Sequence, residues 1–168
     1  MERSRWLALL RIYVGGVWFA YGVSKFEPQW AAPNGEFYQA TEFGIGTISG
    51  PMHDFIVRVV LPHQHTFALL VAYGETLVGI SLILGLFTQV GFSGGMFLSA
   101  NYFLAQGKYH VWLGFGSIEL LLFVCCAIML ALRAGDFFGL DRLIFKKRFL
   151  RSEHSGYSIV RAQPPQEN

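Results

Sequence analysis

Apolar stretches of about 20 residues, each long enough to cross a bilayer as a helix, dominate this sequence. They cover residues 6–26, 65–87, 89–107 and 117–134. The composition agrees, because 53% of the residues are hydrophobic and only 14% are charged, whereas soluble domains carry about 25% charged residues. The sequence therefore predicts an all-α fold, a bundle of four transmembrane helices.

Basic residues predict the orientation of this bundle. Arg3 and Arg5 precede the first helix, and the segment from Arg133 onward holds seven Lys and Arg residues. The loop 27–64 is acidic instead, with four carboxylates against Arg58. Because Lys and Arg favour the cytoplasmic side, both termini are expected in the cytoplasm and the loop outside. The apolar run that follows Arg5 exceeds the length of a signal-peptide core, so we interpret it as a retained helix.

The sequence divides into a membrane domain, residues 1–145, and a C-terminal tail, residues 146–168, that is basic and then polar. In the outer loop, residues 51–62 show an amphipathic pattern behind Pro51, which predicts a short helix on the outer membrane surface. The basic tail is expected to attract anionic lipid on the inner surface. A net charge of +2 is too small to indicate a nucleic-acid partner.

Charged and polar residues inside the predicted spans are the candidate site. The first helix carries Arg11, Gly15, Trp18, Gly22 and Lys25 at spacings of 4, 3, 4 and 3 residues. This spacing places all five on one helical face. That face is expected to point into the bundle, because buried charges are turned away from lipid and glycines let helices approach closely.

The other predicted helices offer partners for these cations. Glu75 lies near the middle of the bilayer, while Asn101 and Glu119 lie toward the outer side. We predict a Lys25–Glu119 ion pair, and we expect Glu75 either to meet Arg11 or Lys25 or to be protonated. The cluster could fix helix register or act chemically, with Glu75 as the candidate proton relay. The candidate site residues are Arg11, Lys25, Glu75, Asn101 and Glu119.

The cysteines and histidines do not predict a metal site. Cys125 and Cys126 are adjacent, without the spacing of a metal or haem motif, and their apolar neighbours favour packing in the last helix. His63 and His65 flank Gln64 at the outer end of the second helix, where an interfacial loop is favoured over metal or pigment ligation. We therefore expect no metal and no intrinsic cofactor.

The placed helices resemble the DoxX/DoxD family of small four-helix membrane proteins, over about residues 11–144. The resemblance rests on four segments in order: "LRIYVGGVWFAYGVSKF", "AYGETLVGISLILGLFT", the Asn-Tyr pair at 101–102, and "IELLLFVCCAIMLALRAGDFFGLDRLI". DoxD and related small subunits resemble parts of thiosulfate:quinone oxidoreductases. Other relatives resemble partners of redox enzymes, assembly factors or receptors for other membrane proteins.

Three functions follow as expectations. The first is an accessory subunit of a larger electron-transfer complex, redox or photosynthetic, without independent catalysis and bordering quinone, pigment or lipid at its helix surface. The alternative is a quinone-reactive subunit of a thiosulfate:quinone oxidoreductase-like enzyme, and the second alternative is a membrane-protein assembly factor. The expected location is the cytoplasmic membrane of a bacterium or archaeon, and the expected partners are the larger subunits.

Overall fold

Helices account for all regular secondary structure in the part of the chain that the computed structural model describes, residues 2–105 and 117–134. The helices are α1 (Glu2–Ser24), α2 (Glu36–Ile45), α3 (Pro51–Phe55), α4 (Gln64–Leu84), α5 (Thr88–Ala105) and α6 (Ile118–Ala131). Each of α1, α4, α5 and α6 overlaps one predicted span. The predicted tail 146–168, its boundary at residue 145 and the last two residues of the predicted helix 89–107 lie outside the described residues.

Helices α1 and α4 form the most extensive contact in the bundle, and glycines bring their backbones together. A Cβ atom added at Gly22 would stand 2.5 Å from the backbone nitrogen of Thr76. A Cβ added at Gly79 would stand 2.5 Å from the backbone nitrogen of Phe19. No side chain fits between backbones this close, so glycine sets the separation of the two helices.

The core lies between α1, α4, α5 and α6. Its buried members are Val14, Trp18, Val78, Leu82, Phe92, Leu122, Cys126, Met129 and Ala134. Cys125 is partly buried and packs against this cluster, which confirms the predicted packing role of both cysteines. A turn that contains Gly85 in the left-handed conformation (φ 67°) connects α4 to α5, and glycine adopts this conformation without strain.

The outer loop is more helical than its sequence predicts. The segment Pro51–Leu84 is one continuous helix of 34 residues, with a π turn over Ile56–Val60 and a 3-10 turn over Leu61–His63. The predicted short helix at 51–62 is therefore present, but it runs directly into α4. Pro62 has no N–H to donate to an α-helical hydrogen bond. It lies within the 3-10 turn, where the α-helical pattern is already interrupted, so the helix continues through it.

Among the described residues, two helices are long and apolar enough to cross a membrane by length and composition, Arg5–Ser24 and Pro51–Leu84. Helix α6 is a shorter apolar helix. Large apolar side chains cover the outward faces of all four bundle helices: Tyr13 on α1 is 71% exposed, Leu77 on α4 63%, Phe97 on α5 68% and Leu121 on α6 61%. Such surfaces suit contact with lipid.

Candidate functional site

The predicted inward face of α1 is confirmed. Arg11, Gly15, Trp18 and Gly22 are buried, and Lys25 follows the last residue of the helix with 13% of its side chain exposed. Gly22 allows α4 to approach within backbone contact just one turn before Lys25. The ammonium group is thereby brought next to the middle of α4, where Glu75 lies.

Lys25 and Glu75 form a largely buried ion pair. The Lys25 Nζ atom donates to Glu75 Oε1 at 2.6 Å and to Oε2 at 2.5 Å. Only 2% of the Glu75 side chain is exposed. Removing charges from water costs free energy, and a close pair with further hydrogen bonds offsets much of that cost.

Tyr102 completes the cluster from a third helix. Its hydroxyl donates to Glu75 Oε1, and it accepts from Lys25 Nζ at 3.3 Å. Lys25 is adjacent to the end of α1, Glu75 lies on α4 and Tyr102 lies on α5. The ammonium–carboxylate–phenol cluster therefore joins three helices at one level of the bundle, and we call these three residues the Lys25 cluster.

Aromatic rings surround the ammonium group of Lys25. Its Nζ atom lies 5.0 Å from the ring centroid of Trp30, 5.2 Å from that of Tyr102 and 6.0 Å from that of Tyr21. These distances are within the range of cation–π attraction. The Trp30 indole is itself fixed, because its Nε1 donates to the backbone oxygen of Ala68 on α4 at 3.0 Å.

Lys25 pairs with Glu75 and not with the predicted Glu119, because the carboxylate that its ammonium contacts is that of Glu75. Of the three alternatives for Glu75, the structure shows the contact with Lys25. Glu119 lies in the first turn of α6 and interacts electrostatically with the Tyr102 hydroxyl.

Arg11 belongs to a different site. It is 1% exposed, and its Nη1 atom donates to the backbone oxygen of Ala134 at 3.4 Å, just past the end of α6. A cation near a helix C-terminus interacts favourably with the helix dipole. Arg11 and Lys25 are separated by about 21 Å of helix at 1.5 Å per residue, so they lie at two different levels of the bundle.

Asn101 does not join the Lys25 cluster, although its neighbour Tyr102 does. The Asn101 Nδ2 atom donates to the backbone oxygen of Phe97, one turn earlier, at 2.7 Å. Consecutive helical residues point about 100° apart, so the pair cannot share one face. The candidate site residues predicted from the sequence do not include Tyr102 and Trp30. The Asn-Tyr pair at 101–102 could have indicated Tyr102, whereas the position of Trp30 depends on how the outer loop folds back.

Hydrogen bonds connect the ammonium, phenol and carboxylate groups of the Lys25 cluster directly to one another. Within residues 2–105 and 117–134, no group of three or more His, Cys, Asp or Glu residues could hold a metal ion.

Comparison with known proteins identifies the family. The profile of the family described as TQO small subunit DoxD, where TQO is thiosulfate:quinone oxidoreductase, matches residues 6–162. No curated protein and no solved structure matches the chain. Together with the apolar helices, the match identifies a membrane subunit related to these small subunits. With nearly its whole length matched, the chain belongs to the DoxD family.

Proposed function

We propose that the chain is an integral membrane accessory subunit of a larger electron-transfer complex related to thiosulfate:quinone oxidoreductase. The observation that carries the proposal is the Lys25 cluster, in which opposite charges neutralise each other between three helices while the outward faces stay apolar. Such a subunit is stable in lipid and offers its outer surface to larger subunits. The family match supports the redox setting.

The proposed topology has α1, α4, α5 and α6 crossing the cytoplasmic membrane, with both termini inside. Lys25 and Trp30 then lie toward the outer surface, and the turn after Leu84 lies at the inner surface. The positive-inside tendency supports this orientation. The apolar exposed side chains of α5 and α6, such as Phe97 and Leu121, support their contact with lipid.

Purification from native membranes in mild detergent tests the accessory role. We expect the chain to co-migrate in fixed stoichiometry with the larger subunits of a quinone-linked oxidoreductase. Loss of all partners on mild detergent exchange would contradict a structural subunit and favour the transient contacts of an assembly factor. Recovery with proteins that have no redox function would contradict the electron-transfer setting.

A quinone-reactive role is the second candidate, and the partial exposure of Lys25 favours it. The 13% of the Lys25 side chain that remains accessible gives the Lys25 cluster a route for proton exchange with its surroundings. A quinone that accepts two electrons from a reduced sulfur compound such as thiosulfate also takes up two protons. In this version Lys25 attracts the anion and Glu75 passes protons to the quinone.

The substitution Glu75→Gln separates the two roles, because the amide keeps the size of the side chain but cannot carry a transferable carboxyl proton. If Glu75 relays protons, quinone reduction by the purified complex should fall by roughly 100-fold or more, the usual contribution of a positioned acid or base. Glu42→Gln, an exposed position on α2, is the matched control. Unchanged quinone reduction in an intact Glu75→Gln complex would leave only the accessory role.

A further inference from the structure

The segment 26–35, between α1 and α2, folds back on itself as a compact loop. The backbone nitrogen of Phe37, in the first turn of α2, donates to the backbone oxygen of Trp30 at 3.2 Å. A Cβ atom added at Gly35 would overlap the backbone oxygen of Gln29, so only glycine lets the two sides of the loop lie this close. The loop is therefore held in shape by its own backbone, and we call it the Trp30 lid.

Two side chains of the Trp30 lid attach it to α4, the helix that carries Glu75. The indole Nε1 of Trp30 donates to the backbone oxygen of Ala68 at 3.0 Å. The ring of Phe26 meets the ring of Tyr73 edge to face, with 5.0 Å between the centroids. Ala68 precedes Glu75 by about 10 Å along the helix axis. The lid therefore contacts α4 between the start of that helix and Glu75.

Lys25 connects the Trp30 lid to the ion pair. Helix α1 ends at Ser24, so the backbone of Lys25 belongs to the turn that leads into the lid, whereas its ammonium group pairs with Glu75. The ring of Trp30 lies 5.0 Å from that ammonium. With the lid in place, 13% of the Lys25 side chain is exposed. A lid that leaves α4 therefore draws Lys25 away from Glu75 and uncovers its ammonium group.

We propose that the Trp30 lid opens and closes over the Lys25 cluster, and that the hydrogen bond from Trp30 to Ala68 holds it closed. Opening breaks the Lys25–Glu75 pair and gives water and small anions access to the ammonium. Loops held by few contacts open at the lowest cost in free energy. Trp30 is then a positioning residue that acts through Lys25. The inference deepens the quinone-reactive candidate and rests on it only for the use that the opening has.

Acylation of Lys25 tests the opening. The purified full chain, with the subunits that accompany it in mild detergent, is treated with sulfosuccinimidyl acetate, and mass spectrometry follows acetylation of the Lys25 amine. Trp30→Phe keeps a ring near the ammonium but loses the Nε1 donor. The acetylation rate should therefore rise about twofold to tenfold, the population change that corresponds to one net hydrogen bond.

Gly35→Ala provides a second variant that does not touch Lys25. The added methyl group overlaps the backbone of Gln29 and forces the lid apart, so acetylation should again be faster. Gly46→Ala is the matched control, because its added Cβ has Phe43 O as nearest atom at 3.7 Å, an ordinary contact. Acetylation of Lys25 in that variant should equal that of the original chain. Unchanged acetylation in both Trp30→Phe and Gly35→Ala would overturn the inference.

Hydrogen exchange tests the coupling in the reverse direction. If the lid and the ion pair stabilise each other, Glu75→Gln should speed amide exchange in the Trp30 lid by roughly fivefold or more, the lower end of couplings between sites. Exchange in Ile118–Ala131 should stay unchanged, and Glu42→Gln should leave both segments unchanged. Equal acceleration in the lid and in Ile118–Ala131 would show general loosening and contradict the coupling.

Neither measurement requires quinone reduction, so the lid and the proposed function can fail separately. Faster acetylation in the Trp30 and Gly35 variants, together with full quinone reduction in Glu75→Gln, would keep the lid and remove the proton relay. Impaired quinone reduction in Glu75→Gln with unchanged acetylation in those variants would keep the relay and remove the lid.

Discussion

At the scale of single residues, the Lys25 ammonium receives three kinds of stabilisation at once. It has the Glu75 carboxylate as counter-charge, the Tyr102 hydroxyl as a hydrogen-bond acceptor, and the faces of aromatic rings. Glu75 in turn depends on the ammonium and the phenol. Removing one member therefore leaves another without compensation in a region from which water is nearly excluded.

Lys25→Met should destabilise the protein by about 3–5 kcal/mol, the usual cost of breaking a buried ion pair by removing one partner. The double variant Lys25→Met with Glu75→Gln should lose less than the sum of the two single losses, because no unpaired charge stays behind. Unfolding in detergent measures all three variants. Strict additivity of the losses would show that the two side chains do not stabilise each other.

Tyr102→Phe removes a hydroxyl that donates to a buried carboxylate and keeps the ring. We expect a loss of about 1.5–3 kcal/mol, typical of a hydrogen bond to a charged group. Tyr21→Phe is the matched control, since Tyr21 is 48% exposed and contacts the ammonium through the face of its ring. That variant should stay within about 0.5 kcal/mol of the original chain. Equal effects at both positions would contradict the special role of Tyr102.

At the scale of the elements, glycine controls the contact between α1 and α4. The helices touch through backbone at Gly22 and Gly79, while Gly16 on α1 has no atom within 4 Å of an added Cβ. Position 22 on α1 therefore has no room for a side chain, whereas position 16 has room for one. This difference gives a test in which the same chemical change has opposite effects.

Gly22→Ala should destabilise the bundle by about 1–3 kcal/mol, because the new methyl group overlaps the backbone of Thr76 and forces the helices apart. Gly16→Ala should stabilise it by roughly 0.5–1 kcal/mol, the gain in helix propensity. Thermal unfolding in detergent measures both. A neutral Gly22→Ala would show that the close approach of α1 and α4 is not required.

The elements also show what the sequence could predict. The inward face of α1 followed from the spacing of its residues alone, since helical geometry is local. The choice of Glu75 over Glu119 by Lys25 did not, because it depends on how far α4 and α6 are displaced along α1. Trp30 was missed for the same reason: its contact with Ala68 joins residues 38 positions apart. A sequence pattern indicates which face of a helix is buried. The contacts between two helices follow only from how the helices pack.

At the scale of the whole molecule, the proposed orientation predicts which cysteines can be labelled from outside. Phe43 on α2 is 76% exposed and lies in the outer loop, so Phe43→Cys should react with a membrane-impermeant maleimide in intact cells. Gln89→Cys, at the start of α5, should react only after the membrane is opened. Labelling in the reverse order would place the termini outside and refute the proposed topology.

The length of the helical segment Pro51–Leu84 has a consequence at the outer surface. Its 34 residues extend for about 51 Å, whereas the hydrocarbon core is about 30 Å thick. Roughly 20 Å of helix, with the π turn and the 3-10 turn in it, therefore stands beyond the hydrocarbon when the helix is upright. A helix bends most readily at such turns, so a partner that binds the Pro51 end can tilt that end while α4 and Glu75 keep their place in the bundle.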